Sequence, residues 1–510
     1  MIGEVGIRRG SCLAALVLAC AAFGGTERPW VVINEDLDGS VMTLAEGDLN
    51  REGLRRYYDE HIHGPCLTHY FVNPQAMTAG YDTKVSEPSW TEHPGLKPAY
   101  PHVKRIKRLH DVGIDPYAVL MERAKERGVS PWISMRMNDV HGVGDPMNGC
   151  TTRMWLDHPE WRRLPGCEGD GPLGGWSNGA YDYTHREVYD FHLAYAREMM
   201  ERYTDAEGIE CDWMRFPHHL PKYHERDHAD VLTAFMRDVR RMADEIGKKR
   251  GRRYLVGVRV ASTVENAISL GTDVELWAKE GSVDVVTPAN FFTTADFESG
   301  WSDWRRILKK ANPAVRLLAG TDDGIAFDGY DRRRMTVAEF CGFFDLALAA
   351  GVTDGVSLFN YYASSAADPT YALVVHQGLT RERLAVRERS YPVTFHDACG
   401  DDMPPQDKFP QSLDRRITLG ITAGTPNADD RVVVSLLGPK GQDGTVFPLG
   451  GALLNGNRPL RILSADSCEF DPAAVRPGVN AFSCGPGPGL SVHGCTMTFK
   501  PRKSNNERSQ

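Results

Sequence analysis

Beyond its first 25 residues, this 510-residue chain has no apolar run that approaches the about 20 residues needed to cross a bilayer. Charge of one sign is not in excess: 59 Lys and Arg are interspersed with 68 Asp and Glu, for a net charge of −9. Without a basic footprint, nucleic acid is not expected as a partner. The 11 cysteines include no CxxC pair, which removes the zinc ribbon. There is no glycine-rich dinucleotide turn after the first apolar strand, and no internal repeat. These absences exclude most signatures of zinc-ribbon, nucleotide and membrane proteins. What remains is a globular chain of ordinary composition, 41% hydrophobic and 25% charged.

The N-terminus reads as an export signal over residues 1–25. Arg8 and Arg9 precede the short apolar stretch Cys12 to Ala22, and Ala19-Cys20-Ala21 supplies small residues for cleavage. Val17-Leu18-Ala19-Cys20 is also a loose lipoprotein box, which makes Cys20 a candidate lipid anchor. The mature chain is therefore expected to be exported: periplasmic, cell-surface or extracellular. In an oxidising compartment, Cys150 with Cys167, which bracket one loop, and the group Cys468, Cys484 and Cys495 are candidates for bridging. Cys211 and Cys341 fall in apolar patterns and read as free core thiols.

From Trp30 to about Gln377, short apolar strands alternate with amphipathic helical stretches. Strands are expected at Trp30–Asp36, Thr68–Asn73, Pro131–Asn138, Ile209–Met214, Tyr254–Ala261, Val283–Ala289, Val315–Asp322 and Gly355–Tyr361. Helical patterns fall between them, including Asp115–Arg127, with an N-cap aspartate and proline at the first helical position. Eight such repeats point to a (β/α)8 TIM barrel over residues 26–385, with an open doubly wound sheet as the alternative. After Tyr391 the strands become short and are punctuated by Gly, Pro and Asp, which reads as a small antiparallel β-sandwich over 390–502. Residues 503–510 form a polar tail. More than forty residues, rich in Gly, Trp and Asp, separate Asn138 from the helix at Arg186. A loop of that length suggests function. Its Trp155, Trp161 and Trp176 either stack on sugar rings or anchor the loop, and Trp176, between Gly174-Gly175 and Ser177-Asn178-Gly179, is the stacking candidate.

The chemistry is concentrated in Gly208 to Pro217. Alternate strand residues share a face, so Glu210 and Asp212 lie together, opposite Ile209, Cys211 and Trp213. The same parity groups Ser134, Arg136 and Asn138 on the third strand, and Gly257, Arg259 and Ala261 on the fifth. With the apolar faces against the helices, Arg136, Glu210, Asp212 and Arg259 line the barrel interior. Glu210, deeper in the strand, is expected in a structural ion cluster with Arg259 and Arg136. Asp212, nearer the C-terminal rim where barrel enzymes place their chemistry, is the candidate acid or base. Glycoside hydrolysis needs two carboxyl groups across the scissile bond, and Asp139 and Asp322 compete for the second position. Arg136, Asn138, His141, Trp176, Arg215, Asn290, Asn360 and Tyr361 are the candidate substrate-binding groups. A divalent ion on Asp212, Asp139 and His141 is a possible rival. His61 and His63 end a helical stretch, His224 and His228 are four apart and could share a helical face, and no metal or cofactor is assigned.

The segments Ile133 to His141, Gly208 to Pro217 and Gly271 to Trp277 resemble the glycosyl-hydrolase-like barrel proteins of exported bacterial carbohydrate-degrading systems. The pattern Asp-Gly-Ile, acidic, any, Asp, aromatic, any, Arg, aromatic, Pro typical of that group stands here as Glu207 to Pro217, with Glu207 replacing the first aspartate. The resemblance implies the barrel, the small C-terminal β-domain, a carbohydrate substrate and a catalytic role for Asp212. Against those barrel glycosidases that carry a glutamate at the end of strand seven, this chain has Asp322 and Asp323. A metal-dependent hydrolase or esterase on the same barrel, and a non-catalytic glycan-binding protein, are the alternatives.

Overall fold

The computed structural model describes residues 28–93, 100–141, 143, 151–166, 171–327, 332–359, 369–403, 406, 408–442 and 444–502, the side chains of 37–38 and 171–174 excepted. The expected signal at 1–25 with Cys20, the loop cysteines Cys150 and Cys167, the rim residues Asn360 and Tyr361, and the tail at 503–510 lie outside the described residues.

Parallel strands close a barrel. β1 (Trp30–Asp36), β2 (His69–Asn73), β3 (Ser130–Arg136), β4 (Gly208–Asp212), β5 (Leu255–Ala261) and β6 (Val285–Ala289) pair in sequence order. β7 comes in two pieces: Arg316–Leu317 lies on β6, and Ala319–Thr321 lies on β8 (Gly355–Phe359), which pairs with β1. Leu318 joins the pieces and donates its amide to the Val286 carbonyl, so the interrupted strand completes the ring. Several strands stop before the apolar pattern does, because side chains capture the main chain. Gln75 takes the Arg136 amide at 3.0 Å and donates to the Arg136 carbonyl at 2.9 Å, standing in for a strand neighbour. Asp212 Oδ1 accepts the amides of Met214 and Arg215, both at 3.0 Å, and turns the chain out of β4.

The N-terminal end of the barrel is plugged by Val32, Phe71, Trp132, Val285 and Leu318. Trp132 stacks on Phe71 with ring centroids 4.9 Å apart. The plug requires glycine at 208, since a Cβ there would lie 2.7 Å from the Trp132 ring. Above it the interior turns polar in two layers set by strand register. Ser134, Glu210 and Gly257 are opposite one another, and one step higher so are Arg136, Asp212 and Arg259.

Helices wrap the sheet where the 3.6-residue pattern placed them, among them Pro116–Glu126, Arg186–Arg202, Ala229–Arg250 and Val337–Ala349. Asp115 caps the first through the amides of Tyr117 and Ala118, and Thr336 with Glu339 forms a capping box on the last. Among the described residues, no helix is long and apolar enough to cross a membrane. The insertion after β3 is not structureless. It carries the helices Arg153–Asp157 and Gly171–Gly179 and a 3-10 turn at Pro159–Trp161. Trp155 is its anchor, buried with Nε1 bonded to the Gly179 carbonyl at 2.8 Å and the Arg162 guanidinium 3.4 Å over its ring.

The chain then enters a β-sandwich. A five-stranded antiparallel sheet, ordered Arg389–Pro392, Gly494–Lys500, Arg431–Leu437, Ser467–Phe470 and Arg461–Ile462, accompanies a three-stranded one of Ile417–Ala423, Gly478–Cys484 and Leu453–Leu454. Its first strand is tied to the barrel helix Val337–Ala349, with the Tyr391 hydroxyl donating to Asp345 at 2.6 Å and Arg389 bridging Asp345 and Asp430. Cys468, Cys484 and Cys495 are buried here as free thiols rather than bridged, and Cys211 and Cys341 are buried and free.

Candidate active site at the C-terminal rim

Strand ends and the loops after them form a cleft of about 450 Å³ at the C-terminal rim. Asp36, Asn73, Gln75, Arg136, His141 and Arg215 contribute its polar lining. A linked chain of charge crosses it from β1 to the loop after β4. Asp36 bonds Arg136, whose Nη1 donates to Asp139 Oδ2 at 2.8 Å. Asp139 Oδ1 meets His141 Nδ1 at 2.6 Å, and His141 Nε2 meets Arg215 Nη2 at 2.9 Å. With Arg215 able only to donate, the neutral imidazole of this geometry carries its proton on Nδ1. Burial alone would raise the Asp36 carboxyl, but the charges of Arg136 and Arg215 outweigh it and hold Asp36 below its ordinary value. In Asp139 the same burial is overcome by His141 and Arg136, which hold it well below the usual carboxylate range.

Exposure separates the carboxylates. The side chains of Asp212 and Asp139 are 0% exposed, while Asp36 keeps 13% of its side chain open to the cleft. Asp212, the leading candidate from sequence, is occupied with structure: besides the two amides it caps, Arg259 Nη1 approaches it at 3.1 Å. Arg259 also donates to the Asn290 carbonyl at 2.7 Å and lies 3.8 Å over the Phe359 ring. Asp36 was visible in sequence as a rim residue of the first strand but was not placed in the site. Parity applied to Asn34-Glu35-Asp36 puts Asn34 and Asp36 inside. Asn34 does reach Ser134 and Glu210, while Glu35 accepts the Tyr57 and Tyr70 hydroxyls.

Glu210 is not the centre of an ion cluster. Arg259 pairs with Asp212, and Arg136 with Asp36 and Asp139, because register sets Gly257, not Arg259, opposite Glu210. Glu210 Oε1 instead accepts Asn34 Nδ2 and Ser134 Oγ, both at 2.9 Å. Burial, then the neighbouring Asp212 charge, push its carboxyl up to about 8. A folded-state value above the ordinary 4.5 means that the contribution to stability is full below about pH 4.5 and is lost as pH rises to about 8. Glu210→Gln keeps the neutral shape and removes that loss. Thermal melts should show little change at pH 4.5 and a variant more stable than the parent at pH 8; a large destabilisation at both would restore the ion-pair role.

Two amides chosen as sugar contacts are staples. Asn138 donates to the carbonyls of Tyr181 at 2.8 Å and His218 at 2.9 Å, and its Oδ1 takes the Tyr181 amide at 2.9 Å. Asn290 donates to Thr294 and Phe395 carbonyls at 2.8 and 3.0 Å, tying the segment after the first sandwich strand to the loop after β6. Asp397 strengthens that tie by accepting the amides of Phe291, Phe292 and Thr293 at 2.6–2.8 Å. Trp176 stands at the cleft edge on its helix, half-buried, edge-on to His141 at 6.2 Å and to Phe216 at 5.2 Å. Asp322 follows β7, is 7% exposed and accepts from Asp323 N and Arg332. Burial, only partly offset by Arg332, raises its carboxyl to about 7.

Asp212, Asp139 and His141 are not gathered as metal ligands. His224 pairs with Asp227 at 3.0 Å ahead of the helix that starts at Ala229, so it shares no helical face with His228. Among the described residues, the one group with ligand spacing is His218, Glu225 and Asp401.

The fold and the cleft define a (β/α)8 barrel protein with a C-terminal β-sandwich. No protein-family model matches the sequence, and no curated protein does. Among solved structures, the chain is similar to alpha-L-fucosidase isoenzyme 2 from Paenibacillus thiaminolyticus, at 13% identity and a TM-score of 0.43, over 71% of this chain and 51% of that one. It thus spans about half the length of that enzyme. It is also similar to a glycoside hydrolase family 18 N-acetylglucosaminidase from Paenibacillus barengoltzii, at 12% identity and TM-score 0.37, over 69% of this chain and 100% of that one. A chitinase from Chromobacterium violaceum gives 11% identity and TM-score 0.35, over 69% and 99%. With TM-scores under 0.5, none of these likenesses assigns a function.

Proposed function

We propose that this chain is an exported glycoside hydrolase that cleaves a poly- or oligosaccharide in the rim cleft. The observation that carries the reading is Asp36, an ionised carboxylate held by Arg136 and open to a cleft at the barrel's C-terminal end. Sugar hydroxyls need closely set donors and acceptors, and Arg136, Arg215 and His141 supply them beside the Trp176 face. The second carboxyl is Asp322, at the end of β7 beyond the lining of that cleft, raised to about 7 and so able to carry a proton near neutrality. Two carboxyls whose surroundings push them in opposite directions suit a base and an acid. The ends of β1 and β7 are two strand steps apart across β8, roughly 10 Å at about 4.8 Å per step. That strand spacing is nearer the about 6.5–9.5 Å carboxyl separation of inverting enzymes than the about 5 Å of retaining ones.

Product analysis over a panel of glycans tests the reading, with the anomer of the first product determined by NMR. We expect inversion and a kcat/KM that falls as pH rises through about 7. Asp322→Asn should remove that alkaline limb and spare aryl glycosides, whose leaving groups need no proton. A panel with no cleavage, or an alkaline limb that survives in Asp322→Asn, would refute it.

A further inference from the structure

We propose that His218, Glu225 and Asp401 form a site for one divalent cation of the zinc class, distinct from the rim cleft, which pins the loop after β4 to the segment that follows the first sandwich strand. One ligand atom from each of the three lies within 4.8 Å of the others. His218 Nδ1 is shielded from solvent and has no hydrogen-bond partner, which is uncommon for a buried ring nitrogen. It approaches Glu225 Oε1 at 4.0 Å, too far for a hydrogen bond and close enough for a shared ion.

Charge points the same way. Glu225 and Asp401 face a single internal cation, Arg163, whose Nη2 contacts both. The Glu225 and Arg163 side chains are 2% and 0% exposed and that of Asp401 is 18%, so two carboxyl groups crowd one guanidinium in a largely enclosed place. An uncompensated buried charge is costly. Arg163 is fixed independently by Nε on the Leu220 carbonyl at 2.7 Å and Nη1 on Ser177 Oγ at 2.6 Å, so it can keep its seat while Nη2 yields. Zinc holds imidazole and carboxylate ligands at about 2.0–2.2 Å, roughly 3.3 Å from one another in a tetrahedral site, so the three groups need to close by up to about 1.5 Å. An imidazole nitrogen beside two carboxylates selects a borderline ion of this kind over Ca²⁺ or Mg²⁺, which take oxygen.

The test uses the full chain, stripped with EDTA and titrated with Zn²⁺ alone by calorimetry and with Co²⁺ alone by its visible absorption. We expect one ion per chain, a higher melting temperature with Zn²⁺, and Co²⁺ bands of low-symmetry coordination. His218→Ala should weaken Zn²⁺ binding a hundredfold or more, beyond the about 10–100-fold of an outer-shell change. Should that variant fold poorly, Arg163→Gln decides, because removing the competing guanidinium should tighten Zn²⁺ binding. No stoichiometric uptake by the wild-type chain, equal uptake by His218→Ala, or weaker uptake by Arg163→Gln would each overturn the site. None of these readouts depends on turnover, so failure here leaves the Asp36 reading intact.

Discussion

Asp212→Asn is expected to lower unfolding stability by about 3–5 kcal/mol, the scale of breaking one partner out of a buried ion pair. Asp212 and Arg259 are 0% and 2% exposed at the side chain, and Arg259 Nη1 approaches Asp212 at 3.1 Å. Asparagine can still accept the Met214 and Arg215 amides through Oδ1, so the turn out of β4 survives. What is lost is the countercharge, and Arg259 is left with carbonyls and the Phe359 ring. Adding Arg259→Met to the variant removes the stranded cation and should recover part of the loss, a non-additivity that urea unfolding of the double-mutant cycle measures. Near wild-type stability combined with lost turnover on a confirmed substrate would place Asp212 in the chemistry instead.

The surroundings of Asp212, a buried pair with Arg259 where sequence pointed to an acid or base, mark where sequence reasoning stops. Strand parity put Glu210 and Asp212 on one face, and the structure has both inside the barrel, because the pleat fixes a period of two. Alternation of apolar strands with capped helices likewise located the strands of the ring, and the short, turn-rich texture after Tyr391 announced the sandwich. Parity carries no register, however. How far each strand slides past its neighbour decides whether Arg259 meets Glu210 or Asp212, and that slide is set by closure of the whole ring. The amides failed for another reason. Asn138 and Asn290 end up on backbone carbonyls, and a strand-end amide has the same donors and acceptor whether it serves a sugar or the main chain. Glycines in the insertion after β3 hid one of its short helices, since Gly171–Gly179 has little intrinsic helical preference. Asp36 was legible, had the parity applied to β3, β4 and β5 been carried to β1.

Asp36→Asn should reduce kcat/KM by about a hundredfold or more, the range of a positioned acid–base group, and cost less stability than Asp212→Asn. The difference follows from Arg136, which has two carboxylate partners: losing Asp36 leaves Asp139 at 2.8 Å, so no buried cation is stranded. The amide keeps the volume and hydrogen-bonding reach at the cleft but can neither take a proton nor offset positive charge on a sugar ring. Because Arg136 and Arg215 keep Asp36 below its ordinary 3.8 despite burial, the wild-type acid limb of kcat/KM should lie below pH 3.8. Acid tolerance of the fold bounds how far that limb can be followed, so the variant is the sharper measurement. Turnover and melting should be read on the same preparation, with an inverted product anomer as the reference reaction. An Asp36→Asn enzyme that keeps wild-type kcat/KM on a confirmed glycan would remove Asp36 from the mechanism. Loss of turnover with an unfolded chain would instead show that the Asp36–Arg136 pair acts as a structural tie between β1 and β3.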